Sequence, residues 1–261
     1  EIIALISYPK LRVFYRYFIE LQYNGKDFHG WQIQPNVRTV QSVINEKLTV
    51  LLKAPIESTG AGRTDTGVHA RFFVAHFDTP EKIETDHKVF VNKLNRFLPA
   101  DIFVFRIIPV RPDAHARFDA ISRTYKYYIT LRKDVFLRES AWFCRQQPNI
   151  ALLQKGAEIL SSYNDFTSFS KLHSDTKSNI CQIKLAEWSK EEHILIFTIK
   201  ADRFLRDMVR AVVGTLLLLG RKKISVTKLK KIIEGKDRSL AGESVPAHGL
   251  YLHSIEYPYI L

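Results

Sequence analysis

Asp65 lies in the run Gly60-Ala61-Gly62-Arg63-Thr64-Asp65-Thr66-Gly67-Val68-His69-Ala70, framed by three glycines. Glycine lets a backbone turn sharply and approach a ligand with no Cβ in the way. Arg63 stands two residues before the acid, so the run holds a carboxylate beside a fixed positive charge. A carboxylate held in this way can serve as a nucleophile or a general base. The same spacing also fits a tight surface turn in which Asp65 caps its own backbone. His69 has the side chain of a metal ligand, but no H-x-E followed by C-x-x-C occurs in the chain. That excludes a zinc deaminase and leaves His69 as a structural histidine, with no metal expected.

Three further features bear on this acid. Between Arg203 and Arg238 the chain carries eleven Lys or Arg against three Asp or Glu, a net +8 out of the chain's +12. Such a stretch suits a phosphate-binding surface, although a solvated helix face has the same composition. Within it Arg210 is surrounded by Met208, Val209, Ala211, Val212 and Val213, which draws it toward the interior, where a cation needs a partner such as Asp65. The alternative is an arginine that buries its stem and snorkels. Tyr125, between Arg123 and Lys126 on an aromatic strand, could stack on an extruded base while its neighbours grip a nucleic-acid backbone. It could equally pack in the core beside Tyr127.

The elements that must position these residues are legible from periodicity. Tyr15 to Tyr23 alternates as a half-buried strand, with Arg16, Glu20 and Gln22 outward. Thr39 is set to cap a helix carrying Val40, Val43, Ile44 and Leu48. Strands follow at Phe72 to Phe77 and Ile102 to Val110, around a helix at about Asp86 to Phe97; the last strand is apolar on both faces. Arg111-Pro112-Asp113 marks the boundary between two halves, residues 14–112 and 113–261. The second half has a strand from Arg123 to Leu131, a helix from Asn149 to Leu160 and a hairpin from Ile180 to Ala201. Helices from Phe204 to Leu219 and Ser225 to Glu234 follow, then a strand from Leu250 to Tyr257. The fold class expected is α+β, two pseudo-symmetric halves with mainly antiparallel sheets meeting at a central cleft.

At 261 residues, with 46% hydrophobic and 25% charged residues, the composition is that of a soluble globular protein. The net charge of +12 and pI near 9.6 favour a polyanionic partner. Cys144 and Cys181 fit neither a metal spacing nor a disulfide framework, which points to a reducing cytoplasm. The apolar runs at Ile2 to Ile6 and Ala211 to Leu219 are too short to cross a bilayer, so no membrane partner is expected.

The chain resembles the tRNA pseudouridine synthase A family from about Arg16 to Pro258. The resemblance rests on the Gly-rich run together with Tyr23-Asn24-Gly25, Phe28-His29-Gly30-Trp31-Gln32 and Thr39-Val40-Gln41. It continues at Leu94-Asn95, Leu98-Pro99, His115-Ala116-Arg117-Phe118 and Arg123-Thr124-Tyr125-Lys126-Tyr127. Asp165-Phe166-Thr167-Ser168-Phe169, Phe204-Leu205, Met208-Val209-Arg210 and Pro246 to Leu252 complete it. This resemblance implies the pseudouridine synthase fold and conversion of uridine to pseudouridine at positions 38, 39 and 40 of the tRNA anticodon stem-loop. It implies a homodimer that needs no cofactor and no metal. Asp65 would be the catalytic aspartate, Tyr125 the active-site ring, Arg210 the cation paired with Asp65, and Arg63 an arginine handling the flipped nucleotide. Ser244-Val245 departs from the Thr-Ala expected there, a difference placed in the lead-in to the last strand. Two rival readings are a catalytically inert tRNA-binding module and a dimeric aspartic protease, the latter from Asp65-Thr66-Gly67. The single D-T-G and the basic surface speak against the protease.

Overall fold

Alternation along Tyr15–Tyr23 makes a strand, β1, in the computed structural model, which describes residues 14–171 and 178–259. The apolar run Ile2 to Ile6 lies outside the described residues. β1 is buried on both faces rather than one: Phe18, Ile19 and Leu21 are wholly covered, and Glu20 is only 3% exposed. Ile19 and Leu21 join a core with Ile44 and Leu94, while Phe18, which points to the other face, is covered by the rings of Tyr257 and Tyr259. Glu20 tolerates burial because Arg106 donates to its carboxylate through Nε at 2.6 Å and Nη2 at 3.0 Å.

Helix α1 (Val40–Leu52) begins at Thr39, whose hydroxyl accepts from the Ser42 N–H while Ser42 Oγ accepts from the Thr39 N–H. Strands β2 (Ser58–Gly60) and β3 (His69–Thr79), helix α2 (His87–Phe97) and strand β4 (Ile102–Val110) complete the first half. β4 lies at the sheet edge and only one of its two apolar faces is covered: Ile102 and Val104 are buried, while Phe103 and Phe105 are exposed. The second half holds β5 (Ser122–Thr130), β6 (Trp142–Phe143), α3 (Ile150–Leu160), β7 (Ile183–Glu191) and β8 (Ile194–Ala201). Helices α4 (Met208–Gly220) and α5 (Val226–Glu234) and strand β9 (Leu250–Glu256) follow.

The architecture is α+β and mainly antiparallel, with strand order β4-β1-β3-β9-β5-β8-β7. The sheets of the two halves are fused into one. The joint is a short parallel pairing of β3 with β9, His69 opposite Tyr251 and Ala70 opposite Leu252. One apolar core gathers Ile19, Phe73, Phe77, Ile44 and Leu94, and a second gathers Tyr127, Leu153, Phe197, Val212 and Leu216. Leu252, Ile255 and Tyr257 of the returning chain end belong to the first core, and Tyr125 packs against both. Helix α4 starts four residues later than its apolar run suggests, because Asp207 takes a left-handed backbone (φ 65°) and stops the helix from extending backward.

His76 on β3 is buried, and its Nδ1 accepts from the Ala116 N–H at 3.2 Å. Burial, with Arg16 and His115 nearby, pushes its pKa from 6.5 down to about 4; Asp78 and Asp119 oppose the shift without cancelling it. The unfolded chain therefore binds a proton between pH 6.5 and 4 that the folded chain refuses. Stability present above pH 6.5 is lost as pH falls toward 4, by roughly 3 kcal/mol from this residue. His76→Asn keeps an acceptor near Nδ1 and removes the titration. Denaturation midpoints measured from pH 7 to pH 4 are expected to fall less steeply in the variant; parallel curves would refute the assignment.

Candidate active site

The Gly-rich run leaves β2 with the Ala61 N–H donating to Val74 O at 2.8 Å. The aromatic loop of the first half then pins it. The Trp31 N–H donates to Thr64 O, and the Gly67 N–H donates to Phe28 O, both at 3.3 Å. Tyr23 and Thr64 share a hydroxyl contact at 2.8 Å. Gly67 has φ +78°, and a Cβ on Gly60 would meet the Trp31 indole nitrogen at 2.4 Å. The turn closes through backbone, Val68 N–H to Asp65 O at 3.1 Å, so the Asp65 carboxylate is left for partners outside the turn. Gly62 differs from the other two glycines: a Cβ there would meet nothing within 4 Å. His69 is a satisfied structural histidine. Its Nδ1 accepts from the Gly25 N–H at 3.0 Å, Nε2 faces His248 O at 3.2 Å, and burial lowers its pKa. No cluster of three or more metal-ligating side chains occurs among the described residues.

The second half meets this turn through the start of α4. Arg210 Nη1 lies 3.5 Å from Asp65 Oδ2 and Arg206 Nε 3.8 Å from Asp65 Oδ1. The arginine expected to turn inward does so, but it has a second acid: the same Nη1 is 3.0 Å from Asp207 Oδ1. Its Nε donates to Val245 O at 2.7 Å, and Ser244 donates its hydroxyl to Asp207 while receiving Arg238 Nη2 at 3.0 Å. Ser244-Val245 is therefore part of the scaffold around Arg210, not only a lead-in to β9. The side chains of Asp65 and Arg210 keep 27% and 21% exposure, so the free site is a half-open cleft rather than a dry pocket.

Tyr125 and Tyr127 have separated roles. Tyr127 is wholly buried and donates to Pro246 O at 2.8 Å. Tyr125 is half-buried where the two cores meet, edge-on to Phe204 with ring centroids 5.0 Å apart. Burial pushes its phenol up to about 12, with Asp65 adding to the rise. Arg63 is exposed. Arg123, read from sequence as a grip on a nucleic-acid backbone, is turned inward instead. Its Nη2 donates to Ala61 O at 2.9 Å and Arg117 O at 2.6 Å, and its Nη1 to Asp202 O at 2.9 Å, which ties three loops together. Burial lowers its pKa. Sequence reasoning missed Arg206, Asp207 and this clamp. The available signal was that Asp207 is one of few acids in a basic stretch. That stretch divides: Arg206, Arg210 and Arg238 serve the site, while Lys222, Lys223, Lys228, Lys230 and Lys231 are exposed.

A family model described as tRNA pseudouridine synthase matches residues 162–258. The chain is 53% identical over 243 residues to tRNA pseudouridine synthase A of Parabacteroides distasonis, covering 93% of this chain and 96% of that protein. It is 53% identical to the protein of that name from Azobacteroides pseudotrichonymphae, over 93% and 97% of the two chains. Against that of Thermotoga neapolitana the identity is 37%, over 90% and 96%.

The seat of Arg210 depends on how closely α4 approaches the segment before β9. A Cβ on Gly214 would lie 1.9 Å from Glu243 O. In an unobstructed helix Gly→Ala stabilises by about 1 kcal/mol, so the sign of the effect is informative. Gly214→Ala is expected to destabilise by about 3 kcal/mol as the two backbones part, lowering the melting temperature by roughly 5–10 °C. A variant melting at or above the wild type would contradict the packing.

Proposed function

The chain belongs to the tRNA pseudouridine synthase family, and on that premise we propose that it isomerises uridine to pseudouridine in tRNA with Asp65 as the reacting carboxylate. The observation that carries this reading is the Asp65 carboxylate, unused by its own turn and 3.5 Å from Arg210 Nη1. The subdomain of residues 14–112 supplies Asp65, and that of residues 113–261 supplies Tyr125 and Arg210. Arg210 sets a positive charge 3.5 Å from the carboxylate and orients it toward the cleft. Tyr125 stacks on the uracil, and exposed Arg63 steadies the nucleotide as it leaves its helix. In the same reading the targets are positions 38, 39 and 40 of the anticodon stem-loop. The working form is a cytoplasmic homodimer without cofactor or metal.

The reaction breaks the N1–C1′ bond, turns the uracil and joins C5 to C1′; the C5 hydrogen leaves as a proton and N1 regains one. Asp65 promotes it either by attacking C1′ or by taking the C2′ proton to give a glycal, and both routes need this one carboxylate. At neutral pH Tyr125 stays protonated, since its phenol titrates near 12. It is therefore a neutral ring beside a charged acid rather than a second base.

Release of tritium from C5-labelled uridine in tRNA measures the isomerisation directly. Asp65→Asn, which preserves shape, is expected to reduce it by at least about a thousandfold. Equal lack of release from wild type and variant would remove the enzyme reading and leave a tRNA-binding protein, whereas equal release would remove Asp65 as the reacting group. Tyr125→Phe keeps the ring and is expected to hold tRNA affinity within about threefold, whereas Tyr125→Ala loses about tenfold or more. Equal losses in the two variants would show that stacking is not what Tyr125 contributes.

A further inference from the structure

Phe118 is 74% exposed, yet it is not on a loose loop. The turn that carries it is built around His115, whose Nδ1 accepts from the Arg117 N–H at 3.1 Å and the Phe118 N–H at 3.3 Å. The His115 N–H donates to Asp119 Oδ2 at 2.9 Å, and the Asp119 N–H returns to His115 O at 3.0 Å. The His115 ring backs the Phe118 ring with centroids 4.2 Å apart, and the Arg117 guanidinium lies 5.7 Å from the Phe118 centroid. This turn is coupled to the Asp65 run by one atom: Arg123 Nη2 donates both to Arg117 O and to Ala61 O. The residues following Ala61 are Gly62, with open space where a side chain would be, and exposed Arg63. Exposed Arg117 sets a cation against the displayed ring, on a turn clamped to the one that leads to exposed Arg63. Phe136 is even more exposed, at 92%, but nothing ties it to the Asp65 run.

We infer that Phe118 is a stacking platform for an unpaired base of the RNA next to the target uridine. A scattered exposed phenylalanine needs no explanation in itself. Here three features converge: the turn under the ring is fixed by hydrogen bonds, Arg117 beside it is a cation suited to phosphate, and the turn shares a clamp with the Asp65 run. Every base has a π-face, so such a ring grips RNA without reading sequence, and the adjoining arginines supply charge. Extruding one nucleotide breaks its stacking with its neighbours, and a fixed ring on the rim replaces a stacking partner for one of them. The net charge of +12 favours RNA over a protein as the occupant.

The inference rests on Asp65 as the reacting group, and the two are tested separately. Affinity of Phe118 variants for an in vitro transcribed tRNA is measured by filter binding, and tritium release is followed at saturating tRNA. Phe118→Ala and Phe118→Leu are both expected to lose about tenfold in affinity, and Phe118→Trp to keep it, with melting temperatures unchanged. Release at saturation stays near wild type in Phe118→Ala but is lost in Asp65→Asn. An abasic site placed at each nucleotide flanking the target should reproduce the loss at one position and add nothing further in Phe118→Ala. Affinity within twofold of wild type in Phe118→Ala, leucine serving as well as phenylalanine, or additivity at every abasic position would overturn the inference. So would a change in the sedimentation of the free protein, which would assign the ring to contact with a second copy. If Asp65→Asn still released tritium, the assignment of the reacting group would fail while the affinity results for Phe118 stood on their own.

Discussion

Two carboxylates lean on one guanidinium. Arg210 Nη1 is 3.0 Å from Asp207 and 3.5 Å from Asp65, and its Nε is held by Val245 O. The nearer acid and the carbonyl fix the cation in place without help from Asp65. The farther acid therefore feels a preset positive field but is not locked into a tight bidentate pair. A carboxylate gripped on both oxygens would have to break that grip to reach a sugar. One held at a distance by an anchored charge is oriented yet free to move. Asp207 accomplishes this from a left-handed backbone that ends α4 on its N-terminal side, which leaves residues 204–207 free to project Phe204 and Arg206 toward the cleft.

The fold makes this arrangement possible by fusing two half-sheets. Asp65 belongs to the first half and the start of α4 to the second, and nothing local in sequence connects them. The parallel pairing of β3 with β9 sets their distance, since β3 begins four residues after Asp65 and β9 follows closely after Val245. Gly214 lets α4 press backbone against backbone on the segment that carries Ser244 and Val245. The carbonyl that seats Arg210 and the strand that joins the halves are consequently consecutive stretches of one chain. A shift at the joint would carry directly into the distance between acid and cation.

Much of this was legible in the residues. Thr39 caps the helix that its position suggests, and Asn149 and Ser225, read as the first residues of theirs, are the caps, each accepting the backbone N–H three places on. The strands followed from alternation, and Arg210 stood out because apolar neighbours on every side of a helix leave a cation nowhere to go but to a partner. What periodicity could not show were long-range facts. Glu20 read as an outward residue, since alternation says nothing of whether a second face is covered or that Arg106 waits 86 positions away. Arg123 read as a nucleic-acid contact because its three carbonyl-bearing loops converge only in the folded chain. Asp207 was invisible as a helix boundary because a left-handed aspartate leaves no trace in composition. Ser244 and Val245 looked peripheral because their distance from Arg210 along the chain hides their contact in space.

The half-open state of the site then has a physical consequence. A sugar detached from its base is exposed to hydrolysis if water reaches C1′, and Asp65 in the free protein keeps 27% of its side chain in contact with solvent. Within the described residues, Arg210 and half-exposed Arg206 flank the carboxylate, and the Tyr125 ring edge-on to Phe204 and the glycine-lined turn with its open space at Gly62 add flat surface. Flat surfaces and missing Cβ atoms make room for a nucleotide but do not cover a carboxylate by themselves. With Asp65 as the proposed reacting group, an inserted base and ribose would themselves be the material that displaces water from it. In that proposal exclusion of solvent and recognition of the extruded nucleotide would be the same event, and the Asp65–Arg210 interaction would strengthen as water leaves.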